Sequence, residues 1–282
     1  MLYLSEPIGV FDSGVGGLSV LKQIQAQLPH EDLLYVADQA HVPYGPRSKS
    51  EVQQFSAAIT RFLLAQEARL IVVACNTASA AALSELRRSF PEVSFVGMEP
   101  AVKPAAQATR TGKVGVLATT GTFASERYAA LMARYAAGVE VFSDPCLGLV
   151  ERIEAGDLDS AETVALLAGI VRPMAAAGVD TLVLGCTHYP FVLPALRELV
   201  GTAVPIIDPA PAVARQVGRV LAMEPEAANA LPPGRVVLLT SGSGSQFQAQ
   251  VRRLWGEAAV VKTAVWHEAA GELSLQINGV EL

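Results

Sequence analysis

The sequence predicts an α/β protein of two pseudo-symmetric lobes with mostly parallel sheets and an active site in the cleft between them. Short Val/Ile/Leu runs alternate with amphipathic stretches, which is the pattern of βαβ units. Strand-ending turns recur in matching order in the two halves of the chain. A length of 282 residues leaves room for two lobes with cores of their own.

Strands are expected at Ile8–Phe11, Leu33–Ala37, Leu70–Ala74, Val93–Val96, Val114–Leu117, Val139–Phe142, Thr181–Leu184, Val204–Ile207 and Val236–Thr240. Between them apolar residues return at helical spacing, as in Leu18, Leu21, Ile24 and Leu28, or Val52, Phe55, Ile59 and Phe62. Ala228 to Gly234, with two adjacent prolines, reads as a surface loop. The repeat is visible at two places. Ile8-Gly9-Val10-Phe11 before a Ser/Gly turn is echoed by Val114-Gly115-Val116-Leu117 before a Thr/Gly turn. Later in each half a buried strand runs into a cysteine, Ala74-Cys75-Asn76-Thr77 and Gly185-Cys186-Thr187-His188. Crossings near Glu99-Pro100 and at Asp208-Pro209 divide the chain into a first lobe of residues 1–98 plus 208–282 and a second of residues 99–207.

Composition narrows the function classes. Hydrophobic residues make up 51% and charged residues 17%, yet Gly, Thr, Arg and Glu break the apolar stretches well short of a bilayer span. A net charge of −6 without a Lys/Arg cluster argues against nucleic acid. The first nine residues lack a basic leader and a cleavage site, so a cytoplasmic location is expected. Three scattered cysteines are then expected as thiols.

Asp12-Ser13-Gly14-Val15-Gly16-Gly17 ends the first strand, and its glycines allow close approach of a ligand to a helix N-terminus. Taken alone, the segment is equally a tight turn with Asp12 as N-cap. It is neither a dinucleotide fingerprint nor a P-loop. A lone strand-end cysteine is ordinarily apolar filler, but Cys75 and Cys186 occupy matching turns, where helix dipoles would lower a thiol pKa. His188 stands two residues from Cys186 and can shuttle protons to it. His30 and His267 read as solvated polar groups, and Cys146 as structural. The Cys and His residues are too dispersed for a metal site.

With these residues assembled, the chain resembles the glutamate racemases. The resemblance rests on Asp12–Gly17, on Asp38 with Pro43-Tyr44-Gly45, and on Ala74-Cys75-Asn76-Thr77-Ala78-Ser79. It continues through Thr119-Thr120-Gly121-Thr122, Glu154-Ala155-Gly156 and Gly185-Cys186-Thr187-His188-Tyr189-Pro190, and so covers the chain to about Asp208. It implies Cys75 and Cys186 as acid/base thiols on opposite faces of the glutamate Cα, with Asp12, Asp38, Glu154 and His188 as helpers. Asp12, Ser13, Tyr44, Gly45, Asn76, Thr77, Thr119, Thr122, Thr187 and His188 would hold the substrate. Glu151, one turn before Glu154, is the alternative acid. Ser243 stands where the family pattern has Asp. The implied reaction uses no cofactor and serves peptidoglycan synthesis. Oligomeric state stays open, a homodimer being one option.

Two other classes compete. A cysteine hydrolase using Cys186 and His188 leaves the mirrored Cys75 unexplained. A two-lobed amino-acid-binding protein explains a cleft but has no use for thiols.

Overall fold

The computed structural model describes residues 2, 4–222, 232–256, 259–267, 269–277 and 280–281. The first part of the chain alternates β1 (Ile8–Asp12), α1 (Leu18–Gln27), β2 (Leu33–Ala37), α2 (Lys49–Ala65), β3 (Leu70–Val73), α3 (Asn76–Ser89) and β4 (Phe95–Gly97). The middle holds α4 (Val102–Ala108), β5 (Lys113–Ala118), α5 (Thr120–Phe123), α6 (Glu126–Tyr135), β6 (Glu140–Asp144) and α7 (Leu149–Glu154). It continues with α8 (Ala161–Ala176), β7 (Thr181–Gly185), a 3-10 turn (Tyr189–Val192), α9 (Leu193–Val200) and β8 (Ile206–Ile207). The last part comprises α10 (Ala210–Val220), β9 (Val236–Thr240), α11 (Gly244–Leu254), β10 (Val260–His267), β11 (Glu272–Ile277) and β12 (Val280–Glu281). The loop expected from Ala228 lies outside the described residues as far as position 231.

Two sheets result. The larger has the order β12-β11-β10-β9-β2-β1-β3-β4, parallel from β10 to β4 and antiparallel in its last strands. The smaller, β6-β5-β7-β8, is parallel throughout. The order β2-β1-β3-β4 in one matches β6-β5-β7-β8 in the other, which is the expected repeat expressed as topology. In each, the chain leaves the first strand toward one side and later returns on the other side with the cysteine-bearing strand. Open parallel sheets bind ligands beyond the carboxyl ends of their strands at such a reversal point. The fold therefore sets Asp12-Ser13 beside Cys75, and Thr119 beside Cys186.

The apolar runs are continuous because helices cover both faces of each sheet. Ile8, Val10, Leu33 and Tyr35 pack toward α1, α10 and α11, while Phe11, Leu34 and Val36 pack toward α2 and α3. In the smaller sheet Leu117, Leu182 and Leu184 face α7, α8 and α9, and Val114, Val116 and Val183 face α4 and α6. After β8 the chain recrosses, and α10 packs against α1 through Ala210, Val213, Ala214 and Val217. No helix among the described residues is long and apolar enough to cross a membrane.

Candidate active site

Cys75 and Cys186 line one small cavity, together with Ser13, Pro43, Tyr44, Gly45, Asn76, Thr77, Thr119, Val150, Thr187 and His188. Both cysteines are buried and free. Each half of the molecule contributes its strand-end turns, so the cavity exists only where the lobes meet.

Cys75 follows β3 with extended backbone and is the N-cap of α3, its sulfur accepting from Ala78 N at 3.4 Å. A helix N-terminus favours a thiolate, and the sequence led to that expectation. Burial outweighs it. Desolvation and then the Asp12 charge push the Cys75 thiol well above its ordinary range. Asp12 is itself fully buried, and burial raises its carboxyl against the opposing effect of His188. The Asp12 charge makes ionisation of Cys75 costlier, while the Cys75 thiol favours the ionised Asp12 carboxyl, so of the two it is the thiol that keeps its proton.

Asp12 is not the N-cap of α1, which starts after Gly17 without a side-chain cap. Its Oδ1 accepts from Ser13 N at 2.7 Å, and its Oδ2 accepts from Gly17 N and from Thr187 Oγ1, the latter at 3.0 Å across the lobes. Tyr35 OH donates to Gly14 O at 2.6 Å and holds the loop from below.

The other thiol has a different supporting set. His188 Nδ1 lies 3.6 Å from Cys186 Sγ, and His188 Nε2 lies 2.7 Å from Glu154 Oε1. Burial alone would push the imidazole down, but hydrogen bonds to Cys186 and Glu154 and their charges raise it well above its ordinary value. Glu154 is held low despite its burial, by His188 and by donors that include Val15 N at 2.8 Å and Gln39 Nε2 at 3.0 Å. The geometry selects Glu154 over Glu151 as the partner of His188, since Glu151 is exposed.

The glycines of the first loop serve this junction. A Cβ on Gly14 would stand 1.9 Å from Glu154 Oε1, and one on Gly16 would stand 2.5 Å from His188 Nδ1. The space over Gly14 and Gly16 that the sequence assigned to a ligand is filled by the Glu154 and His188 side chains.

Asp38 lies behind the cavity. Its oxygens accept from Tyr44 OH at 2.6 Å, Ser241 Oγ at 2.7 Å and Trp266 Nε1 at 2.7 Å, and His41 Nδ1 is 2.9 Å away. It thereby fixes Tyr44 against the cavity wall. Thr77 Oγ1 and Thr119 Oγ1 meet at 2.8 Å across the lobes, and Thr122 backs Thr119 at 3.1 Å without lining the cavity. The Asn76 amide is buried with neither its nitrogen nor its oxygen hydrogen-bonded. A buried amide is seldom left unpaired, and this one, on the cavity wall, offers both a donor and an acceptor. Among the described residues no three His, Cys, Asp or Glu side chains gather as a metal site.

A family model for Asp/Glu/hydantoin racemases matches residues 8–217. A glutamate racemase of Stutzerimonas stutzeri is 53% identical over 258 residues, covering 92% of this chain and 97% of that protein. The chain belongs to the glutamate racemases. It is thus an amino-acid racemase, an isomerase. The crystal structure of a glutamate racemase isoform from Bacillus anthracis superposes with a TM-score of 0.80 at 33% identity, covering 93% of this chain and 98% of that one. The Escherichia coli glutamate racemase, solved with L-glutamate and an activator, gives 0.81 at 31% identity over 93% and 99%.

Against the glutamate racemase pattern, Ser243 in place of Asp still caps α11, accepting from Gln246 N at 3.4 Å. Sequence reasoning missed Gln39, Gln250, Ser241 and Trp266, all within this network. None carries an ionisable side chain or a repeated context that would have marked it.

Proposed function

We propose that this chain interconverts L- and D-glutamate without a cofactor, Cys186 and Cys75 exchanging protons with opposite faces of Cα, and supplies D-glutamate for peptidoglycan synthesis in the cytoplasm. The lobes would be residues 1–98 plus 208–282 and residues 99–207. The observation that carries the mechanism is the single cavity lined by both thiols and fed by both lobes. In the L-to-D direction Cys186 takes the Cα proton, and Cys75 delivers its own proton to the opposite face. The reverse direction exchanges the roles.

The supporting sets suit this polarity. Asp12 and burial keep Cys75 protonated as the acid, while the His188 imidazolium sets a positive charge 3.6 Å from the sulfur that must act as base. The difficult step is the carbanion. It requires fixed donors at the α-carboxylate in a site that excludes water, and Asn76, Thr77, Ser13 and the α3 N-terminus are the available donors, the Thr187 hydroxyl being given to Asp12.

The test combines Cys75→Ser and Cys186→Ser with proton tracing. Wild-type protein in deuterated water places deuterium at Cα of the product but not of the remaining substrate early in the reaction. Each serine variant loses about 10²–10⁴-fold or more in kcat. Enantiomers have equal free energy, so kcat/KM must fall equally in both directions for either variant. Near-normal racemisation by a folded Cys75→Ser protein defeats the two-thiol mechanism.

A further inference from the structure

Glu154 belongs to the second lobe, yet it is gripped by two amides of the first. Gln39, two residues beyond β2, donates from Nε2 to Glu154 Oε2 at 3.0 Å and to Gln250 Oε1 at 2.8 Å. Gln250, buried on α11, donates from Nε2 to the Glu154 backbone oxygen and stands 3.5 Å from Oε2. The amide orientations are forced. The ionised Glu154 carboxylate can only accept, so Gln39 turns Nε2 to it and Oε1 to the Thr240 hydroxyl, which donates at 2.8 Å while accepting from Gly242 N at 2.9 Å. The Gln39 amino group must then face Glu154 and Gln250.

Two neutral amides converging on one half-buried glutamate, Gln39 on its carboxylate and Gln250 chiefly on its backbone oxygen, are more than packing. They hold Oε2 so that Oε1 is turned to His188 Nε2 and Val15 N. We propose that Gln39 and Gln250 are positioning residues for the racemase reaction: they lock Glu154 in its ionised form against His188, and so prepare Cys186 for its proton transfer. This rests on the two-thiol reading of the site. A neutral amide pair suits the task because a lysine or arginine there would compete with His188 for the carboxylate, and an apolar pair would leave it desolvated and favour its protonation.

The charges facing His188 come from Cys186 on its own turn, Glu154 on α7 and Asp12 on β1, with the neutral Tyr35 phenol nearby. Weakening Glu154 therefore removes one of the groups that keep the imidazole protonated. The test uses Gln39→Met and Gln250→Met, which keep length and remove the donors, their double variant, and each on a Glu154→Gln background. Gln250→Glu serves as a second probe that keeps size and polarity while replacing a donor by a negative charge. Racemisation kinetics are read in both directions, and ring nitrogen NMR of labelled histidine follows the His188 titration.

Each single change is expected to lower kcat about tenfold with KM within about twofold, and to lower the His188 titration midpoint. Gln250→Glu should lose at least as much. On the Glu154→Gln background the same changes should add less than twofold, because they act through a carboxylate that is no longer there. Wild-type kcat with an unmoved His188 titration overturns the proposal. Equal losses with and without Glu154 also overturn it, assigning the glutamines to packing alone. If instead Cys186→Ser remains active, the two-thiol reading itself has failed, which the glutamine variants alone would not show.

Discussion

Replacing Gly14 by Ala tests the junction of the lobes at its tightest point. The new Cβ would meet Glu154 Oε1 at 1.9 Å, whereas real Cβ contacts stay above 3.0 Å. The carboxylate must therefore withdraw by about an ångström. It cannot do so and keep both its 2.7 Å contact with His188 Nε2 and its 2.8 Å bond from Val15 N. Two hydrogen bonds to a charged group are together worth about 3–6 kcal/mol if nothing replaces them. The oxygen is the end of a side chain that can swing toward Gln39 and Gln250, so the usual overpacking cost of about 1–3 kcal/mol is the better guide. At about 2–4 °C per kcal/mol the melting temperature should fall by about 2–12 °C. Activity should fall further, about a hundredfold in kcat, since an ångström of misplacement in a supporting group has that scale of effect. Thermal unfolding and racemisation followed by circular dichroism measure both. Gly169→Ala is the matching control: the site is exposed on α8, a Cβ there meets nothing within 4 Å, and stability should rise by about 0.5–1 kcal/mol. Gly14→Ala protein with unchanged melting and kcat within twofold of wild type would refute the placement of Glu154 against the glycine loop.

Chelators and carbonyl reagents should leave racemisation intact while alkylation of Cys75 and Cys186 abolishes it; full activity after both thiols are shown to be alkylated rejects their role. Aspartate, one methylene shorter, cannot reach donors for both carboxylates and should lose at least about a hundredfold in kcat/KM, which a steady-state comparison with glutamate decides. The Glu154–His188 pair should also be visible in stability. Glu154 is held below its ordinary 4.5, so its contribution is present above that value and fades as pH falls. His188 is raised above 6.5, so its contribution is complete below 6.5 and fades as pH rises through the higher folded value. The destabilisation by Glu154→Gln, measured by denaturant unfolding, should accordingly be greatest between about pH 4.5 and 6.5 and shrink on both sides. A difference independent of pH would reject the pairing.

The interior strands were legible in the sequence because both faces of each are buried, so β1, β2, β3, β5 and β7 each contain an apolar run, polar residues standing only at the ends, as Asp12, Lys113 and Thr181 do. The expected Val204–Ile207 strand shortens to Ile206–Ile207 at the edge of its sheet, where only one neighbour supports it. The β10–β12 extension was not anticipated. Its first strand mixes Lys262 and Thr263 with apolar residues and is only half buried, so neither an apolar run nor a clean alternation marks it. The cysteine turns were legible through the repeat. The choice between Glu151 and Glu154 was not, because residues three apart on a helix both remain candidates until the neighbouring lobe is in place. The pairing of Gln39 with Gln250, 211 residues apart, leaves no local trace at all.

The large sheet also imposes an order of events during synthesis. β2 takes its second neighbour from β9, Leu33 pairing with Val236, and Asp38 receives its indole donor from Trp266, 228 positions downstream. At about 5–20 residues per second a ribosome needs roughly 10–40 s to make the chain between β2 and β9. Throughout this interval β2 is an open, fully apolar edge, and such an edge invites pairing with other chains. The nascent chain is therefore most exposed to aggregation well after its first four strands have emerged. Chaperone demand should follow the delay before β9 appears, and not the stability of the finished enzyme.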